Sequence, residues 1–318
     1  MHDLNNRPAG PNLIVTAKTA HKVHFVDAVS LAVTATIDMP GSTHELALSP
    51  DGRTVYGTVY GDGVFAKRVN PDRRIVVIDL AQRSLARIID LGDVYAPHGI
   101  MMDQSGTVWS SGELGGAVLA IDPASDSVQK VDVGATAHWV AVSHATGKLF
   151  VSVKQDWVGV VDLGRRTLIE RIALPRVVEG LAIAPDGETL YVCAQTAPEL
   201  YVIDARTHAL RRTIAVAGAE GAKPQMRRVR VSPDNRYVVV SANQDYHAAI
   251  FNAADLTQIA SFPTRKSPMG FGFAGDGKRA WVCCHDDGEV LEFELATGRV
   301  VRSFATAAGC EFILGYSA

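Results

Sequence analysis

Seven short segments of this sequence alternate between apolar and other residues. Most of the residues at which these segments start have side chains that ionise or bind metals. These residues are Cys310, His44, His98, His138, Glu179, Arg227 and Met269. Neutral imidazoles and carboxylates are the usual protein ligands of zinc, iron(II) and manganese. Three histidines and a glutamate fall on four successive segments, which predicts a site for a divalent transition metal. The predicted ligands are His44, His98, His138 and Glu179.

Metal ligands of this kind also suggest a reaction. Three imidazoles leave a coordination position open, which separates a catalytic metal site from a structural one. Glu179 could also act as a general base, and the planar guanidinium of Arg227 could orient a substrate carboxylate or phosphate. We therefore expect Glu179 and Arg227 to be catalytic and the substrate to be a small anion. Further substrate contacts are predicted at Met269, Cys310, Glu113, Gln244 and His285, the last three because they follow strand ends.

The elements that position these residues are repeated along the chain. Each repeat contains an alternating strand, a turn of the Ser-Pro-Asp-Gly type and a second strand, as in HELALSPDGRTVYGTVY from His44 and EGLAIAPDGETLYVCA from Glu179. Six copies begin at residues 44, 98, 138, 179, 227 and 269, and two further strand-like runs follow each of them. These intervals bracket the roughly 40–45 residues of a four-stranded propeller blade.

Both ends of the chain complete the count of repeats. The N-terminal part contains NLIVTAK, KVHFVDA and AVTATIDMPG without a preceding inner strand, and the C-terminal part ends in an unpartnered GCEFILGYS. Joining them closes the ring, because an unpaired inner strand would expose its ladder hydrogen bonds at an edge. The sequence predicts an all-β, seven-bladed β-propeller with four antiparallel strands per blade. It forms a single domain over 1–318, with blade 1 shared between about 12–40 and 308–318.

The repeats resemble those of the YVTN-type seven-bladed β-propellers. The motifs that carry the resemblance are RIVVIDL, SPDGRTVYGTVY, APDGETLYVCA and LYVIDAR, and the resemblance covers nearly the whole chain. Related propellers include lactonases, lyases, binding proteins and surface proteins, so the resemblance implies the architecture and leaves the reaction open. By analogy with propeller lyases that place a divalent metal and histidines at the channel mouth, it favours a metal-dependent lyase or hydrolase.

Three alternatives to this hypothesis remain open. The first is an iron-dependent oxygenase, which ligation by three histidines and a glutamate also permits. The second is a metal-free lactonase-type hydrolase, in which Glu179 or a histidine is the general base and Arg227 stabilises an oxyanion. The third is a non-enzymatic binding or scaffold propeller with a protein partner, whose polar channel holds only water.

Composition excludes several other classes of protein. The 318 residues are 47% hydrophobic, which excludes a disordered chain, and the four cysteines have no CxxC spacing typical of a zinc site. A net charge of −3 without a basic run argues against nucleic acid and membrane surfaces as partners. No apolar segment approaches the roughly 20 residues of a membrane-spanning helix. We expect a cytoplasmic protein with a small-molecule substrate, and a signal peptide already removed would leave the same picture.

Overall fold

The structure, a computed structural model, describes residues 10–65, 67–218 and 225–317. Its strands form seven antiparallel sheets of four strands each, and the inner strands of neighbouring sheets contact one another around a ring. This confirms the predicted all-β, seven-bladed β-propeller. Across the three described ranges, no helix has the length and apolar character needed to cross a membrane.

The first four blades occupy the N-terminal half of the chain. Blade 1 consists of β1 (Asn12–Ala17), β2 (Lys22–Asp27) and β3 (Val33–Asp38), completed by β28 described below. Blade 2 consists of β4 (Thr43–Leu48), β5 (Thr54–Val64), β6 (Lys67–Asp79) and β7 (Ser84–Asp90). Blade 3 consists of β8 (Tyr95–Met102), β9 (Val108–Leu114), β10 (Ala117–Asp122) and β11 (Ser127–Asp132). Blade 4 consists of β12 (Ala137–Ser143), β13 (Lys148–Val153), β14 (Trp157–Asp162) and β15 (Thr167–Ala173).

The remaining strands form the other three blades and the closure. Blade 5 consists of β16 (Val178–Ile183), β17 (Thr189–Ala194), β18 (Glu199–Asp204) and β19 (Leu210–Ala215). Blade 6 consists of β20 (Met226–Val231), β21 (Tyr237–Ala242), β22 (His247–Asn252) and β23 (Gln258–Pro263). Blade 7 consists of β24 (Pro268–Phe273), β25 (Arg279–Cys284), β26 (Glu289–Glu294) and β27 (Val300–Ala305). The last strand is β28 (Cys310–Tyr316).

The ring is closed by the C-terminal strand, as predicted. β28 pairs antiparallel with β1, from Asn12 opposite Tyr316 to Ala17 opposite Cys310, and takes the inner position of blade 1. The edge of β1 that faces the channel is therefore paired on both sides of a register shift between Val15 and Ala17. An open edge there would leave backbone donors and acceptors unpaired next to the channel.

Burial follows the position of each strand in its blade. Every residue of the inner strand β16 is buried, whereas the outer strand β19 is exposed apart from one half-buried residue. Large side chains such as Trp109, Phe150 and Tyr201 fill the space between neighbouring blades and are almost completely buried. Burial of this apolar surface is the main force that holds the blades together.

Two inner-strand glycines let neighbouring blades approach closely beside the channel. A Cβ atom at Gly180 would lie 2.2 Å from the carbonyl oxygen of Arg227, and one at Gly270 would lie 2.6 Å from that of Glu311. Both distances are far below van der Waals contact, so a side chain at either position would push two blades apart. These glycines hold Arg227 and Glu311 close to their neighbours at the channel mouth.

Candidate functional site

Equivalent residues of the seven blades can be identified from strand pairing. Every blade has a register shift between its inner and second strands near the mouth of the channel. The residue pair on the mouth side of this shift occupies the same position in all seven blades. These pairs are Cys310–Ala17, Thr43–Val59, Pro97–Gly112, Ala137–Val153, Val178–Ala194, Met226–Ala242 and Pro268–Cys284. A β-bulge of this kind re-aims the side chains beside it.

The inner-strand residues that directly follow these pairs form what we call the inner ring. Its members are Glu311, His44, His98, His138, Glu179, Arg227 and Met269. All seven line one cavity of about 370 Å³ at the mouth of the channel. The structure therefore brings together the predicted metal ligands, Arg227 and Met269.

Blade 1 corrects the predicted alignment by one residue. Glu311, and not Cys310, is equivalent to His44, because Cys310 belongs to the pair on the mouth side of the shift. Cys310 is fully buried in an apolar cluster that also contains Cys283. The cavity lining thus contains Glu311 where the sequence predicts Cys310. The alternating pattern alone does not reveal the bulge that displaces the register.

A second set of residues, which we call the outer ring, lies on the second strands. Each of them directly follows the second-strand member of the pair at the register shift of its blade. The members of the outer ring are Lys18, Tyr60, Glu113, Lys154, Gln195, Asn243 and His285. Glu113 and His285 were predicted from their strand-end positions, and the same rule applied to all blades would have identified the other five. Gln244 lies one residue too far along the chain and is exposed, so Asn243 takes its place in the cavity lining.

The three imidazoles of the inner ring are stacked side by side. The ring centroids of His44 and His98 are 4.3 Å apart, and those of His98 and His138 are 3.8 Å apart. Burial, and then neighbouring positive charge, lowers the pKa values of His44 and His98 well below the usual range, so both are neutral at pH 7. Nδ1 of His98 is buried without a hydrogen-bond partner among the described residues.

Both ring nitrogens of His138 face carboxylates. Its Nδ1 is hydrogen-bonded to Glu113, and its Nε2 lies 3.0 Å from Oε1 of Glu179. His44 repeats the pattern more loosely, with Nδ1 3.0 Å from Glu45 and Nε2 3.5 Å from Glu311. Each histidine is thus oriented through Nδ1 and presents Nε2 to a second acidic group, an arrangement typical of oriented metal-binding histidines.

Glu113 is the most heavily coordinated carboxylate of the site. It accepts hydrogen bonds from the Tyr60 hydroxyl at 2.6 Å and from Nε of Arg68 at 3.0 Å, in addition to the bond with His138. Burial alone would raise the pKa of Glu113, but the electrostatic interaction with His138 and these hydrogen bonds lower it to about 2. Glu113 is therefore charged and fixed in place. Arg68, which lies on the extended β5–β6 hairpin, was not among the residues predicted for the site.

Glu179 is paired with two cations. Its Oε2 accepts a hydrogen bond from Nζ of Lys154, and its Oε1 lies 3.0 Å from Nη1 of Arg227. Burial would raise the pKa of Glu179, but these two charges and the interaction with His138 outweigh it and hold the pKa well below its usual range. Nη2 of Arg227 donates to Gln225 at 3.1 Å. Glu179 is therefore a carboxylate at neutral pH, shared between His138 and the two cations.

The floor of the cavity is an ion cluster around Arg228. Its two terminal nitrogens lie 2.7 Å from Glu45 and 2.9 Å from Glu311, and its guanidinium lies 3.9 Å from the centre of a Trp139 ring. Burial raises the pKa of Glu45 to about 8 against the opposing charge of Arg228. At the rim, Nε2 of His285 lies 3.4 Å from Glu311.

Two groups of side chains have the spacing of metal ligands, and they divide the predicted ligand set. Within each group the ligand atoms lie within 4.8 Å of one another. One group contains His98, Glu113 and His138, and the other contains His44, Glu45 and Glu311. His44 and His138 therefore belong to different groups, and Glu179 approaches the first group through His138.

Comparisons with known proteins identify proteins that share this fold. No family model matches the chain, so membership of the YVTN family stays a prediction. Antigen Lp49 of Leptospira interrogans (serogroup Icterohaemorrhagiae serovar copenhageni, strain Fiocruz L1-130) is 25% identical over 270 residues, which cover 77% of this chain and 55% of that protein. The chain thus spans about half the length of this curated relative.

Solved structures share the architecture at low sequence identity. The periplasmic gluconolactonase PpgL of Pseudomonas aeruginosa has a TM-score of 0.79 at 17% identity, with 96% of this chain and 99% of that chain covered. Hydrazine synthase of Kuenenia stuttgartiensis has a TM-score of 0.77 at 16% identity, with 91% and 94% covered. Dihydro-heme d1 dehydrogenase NirN has a TM-score of 0.67 at 14% identity, with 94% and 75% covered. The chain has the β-propeller fold. Function must be argued from the site itself.

Proposed function

We propose that the chain is a metal-dependent hydrolase or lyase for a small anionic substrate, with a divalent ion bound at His138 and Glu179. The YVTN-like repeats and the fold shared with a gluconolactonase support an enzyme that acts on small esters. The ligand chemistry is that of zinc, iron(II) or manganese.

The observation that carries the proposal is the pairing of His138. The carboxyl groups of Glu113 and Glu179 both have lowered pKa values and are charged at neutral pH. A neutral imidazole that donates its Nδ1 proton to Glu113 presents a lone pair to Glu179, and this atom lies 3.0 Å from Oε1. Two acceptors at that distance repel each other unless a positive charge joins them; in this proposal the charge is a divalent ion, whereas in a metal-free site it would be a proton on His138. An ion with bonds of about 2.0–2.2 Å and ligand angles near 90° places neighbouring ligand atoms about 3 Å apart.

His98 and His44 differ in how they relate to this position. His98 offers a ligand atom within 4.8 Å of those of Glu113 and His138, and its buried Nδ1 has no partner among the described residues. His44 faces Glu45 and Glu311, and Arg228 already lies against both carboxyl groups, at 2.7 and 2.9 Å. We therefore assign His138, Glu179 and His98 to the ion and a supporting role to His44.

The other residues of the mouth then have distinct roles. A divalent ion would supply Lewis acidity or a bound water whose pKa is about 7. Glu113 orients His138 and fixes its tautomer, as carboxylates do for metal-binding histidines. Arg227 shares Oε1 of Glu179 with His138, so an ion at that oxygen competes with Arg227. Once released from Glu179, the guanidinium can hold the anionic group of the substrate.

Metal content tests the proposal directly. Inductively coupled plasma mass spectrometry of protein reconstituted with zinc, iron(II) or manganese should find close to one ion per chain. His138→Ala and Glu179→Gln should each weaken metal binding at least tenfold. His24→Ala is the matched control, because His24 is a buried histidine of β2 that does not line the cavity. Wild-type protein that retains no metal after reconstitution would overturn the proposal.

One alternative is favoured by a specific observation. Glu113, His138 and Glu179 form a continuous hydrogen-bonded chain, and Lys154 and Arg227 lie against its end. With His138 as an imidazolium, this chain balances its own charges without a metal, and Glu179 can act as general base while Arg227 stabilises an oxyanion. Hydrolysis of small carboxylated lactones that survives a chelator and is lost in Glu179→Gln would support this metal-free reaction.

A further inference from the structure

Lys18 is a buried cation at the cavity with few partners. It directly follows β1 and is only 6% exposed. Its Nζ donates to the carbonyl oxygen of Gly63 at 3.2 Å and lies 4.6 Å from the centre of the Tyr60 ring. An ammonium group has three N–H donors. One carbonyl and the face of one aromatic ring therefore leave part of its hydrogen-bonding capacity unused.

The other buried or half-buried cations of the site are paired differently. Each of them forms an ion pair with a carboxylate of the cavity wall or floor. These pairs are Arg68 with Glu113, Lys154 with Glu179, Arg227 with Glu179, and Arg228 with Glu45 and Glu311. Lys18 has no carboxylate within 4.0 Å among residues 10–65, 67–218 and 225–317.

A buried charge without a counterion destabilises a protein. Burial lowers the pKa of Lys18, and the more distant carboxylates Glu311, Glu113 and Glu45 oppose that effect only in part. The nearest of these acidic groups are already engaged by Arg228 and Arg68. The protein therefore maintains an unpaired cation in the wall of a cavity.

We infer that Lys18 binds an anionic group, a carboxylate or a phosphate, of the ligand that enters the cavity. Lys18 lies on blade 1, whereas Lys154 and Arg227 lie on blades 4 and 6. A ligand that meets both sets of cations carries two anionic groups, as a small dicarboxylate or a phosphorylated acid does. The inference rests on the proposed function to the extent that both concern a small anionic ligand of the same cavity.

Anion titration tests this assignment. The probes are malonate, inorganic phosphate and acetate, titrated calorimetrically into the metal-reconstituted full chain. Wild type should bind malonate or phosphate more tightly than acetate, and which of the two is tighter distinguishes a carboxylate from a phosphate ligand. Lys18→Met should weaken binding about tenfold or more, since a charge-assisted hydrogen bond is lost. Lys22→Met is the matched control, because Lys22 lies in the same hairpin and pairs with Asp38 at the surface.

The folding stability of the same variants provides a second readout. Lys18→Met removes an unpaired buried charge, so its melting temperature without ligand should equal or exceed that of wild type. A lower melting temperature, or malonate and phosphate binding within twofold of wild type, would overturn the assignment. Wild type that binds none of the probes would also overturn it. The metal content of Lys18→Met is measured in parallel, so a failure of the metal proposal is seen separately.

Discussion

Blades 2–4 and blades 5–7 form two sides of the mouth that differ in how completely their polar atoms are paired. On the side of blades 2–4, Glu113 is held by Tyr60, Arg68 and His138 at once. The exceptions on this side are Oγ1 of Thr43 and Nδ1 of His98, which are buried without partners among the described residues, and His98 belongs to the proposed metal group. This side of the mouth is thus fixed in place before any ligand arrives.

Blades 5–7 present a different surface to the same cavity. Nε of Arg227 and Oδ1 of Asn243 are buried without hydrogen-bond partners among the described residues. Gln195 and Met269 are half-buried and complete this part of the cavity lining. A wall whose carboxylate is held by several hydrogen bonds is suited to keep reacting groups in a fixed geometry, whereas a wall with an unpaired guanidinium and amide is suited to exchange partners with a ligand. We therefore assign chemistry to blades 2–4 and recognition to blades 5–7, with Glu179 at their junction.

The largest effect expected from this comparison is on stability. Glu113→Ala removes the carboxylate that compensates Arg68 and orients His138, leaving a buried charge without its partner. We expect a loss of about 3–5 kcal/mol in the free energy of unfolding, measured by urea denaturation at pH 7. Glu188→Ala, which breaks an exposed pair with Arg206, should cost about 0–1 kcal/mol. A loss below about 1 kcal/mol for Glu113→Ala would mean that blades 2–4 are not held together by this carboxylate.

An intermediate effect concerns pH. Burial raises the pKa of Glu45 from 4.5 to about 8, so its contribution to stability is fully present below pH 4.5 and is lost as pH rises through 8. The pKa of Glu113 is lowered to about 2, so its contribution is present above pH 4.5 and is lost as pH falls towards 2.

Glu45→Gln tests the first of these dependences. One such group changes the free energy of unfolding by at most about 1.4 kcal/mol per pH unit. The free energy of unfolding of wild type should fall as pH rises from 5 to 8. That of Glu45→Gln should lack this fall. Identical slopes in the two proteins would show that Glu45 is ionised throughout this range and belongs with the other charged carboxylates of the mouth.

The fold could be predicted from the sequence because the same pattern of strands and turns recurs in every repeat. The alternating runs and Ser-Pro-Asp-Gly turns fix strand number and order, and the unpartnered strands at both ends require the closure by β28. Five of the predicted site residues, for example His98 and Arg227, could be placed at the mouth for the same reason, since they occupy equivalent positions in consecutive repeats. Met269 follows the same rule and lines the same cavity.

The remaining parts of the site depend on information that alternation does not contain. The bulge that shifts the register of each inner strand is not visible in the alternation, and Glu311 occupies the position predicted for Cys310. Asn243 takes the place predicted for Gln244 because it directly follows Ala242, the last residue of β21. Lys18 follows β1, the second strand of its blade, as Lys154 follows β13, so the strand-end rule combined with the predicted closure would have identified it. Stacking of the imidazoles, instead of their convergence on one point, results from side-chain packing across blades.

The smallest effect is expected on the side of blades 5–7. Asn243→Ala removes an amide whose Oδ1 atom makes no hydrogen bond with the described residues, so little internal pairing is lost. The free energy of unfolding should change by less than about 0.5 kcal/mol in urea denaturation, as for a surface substitution. Gln225→Ala is the matched comparison on the same blade, because Gln225 accepts a hydrogen bond from Arg227 at 3.1 Å. Its loss should exceed that of Asn243→Ala. If Asn243→Ala instead costs more than about 1 kcal/mol, the two sides of the mouth are equally paired and the division between chemistry and recognition fails.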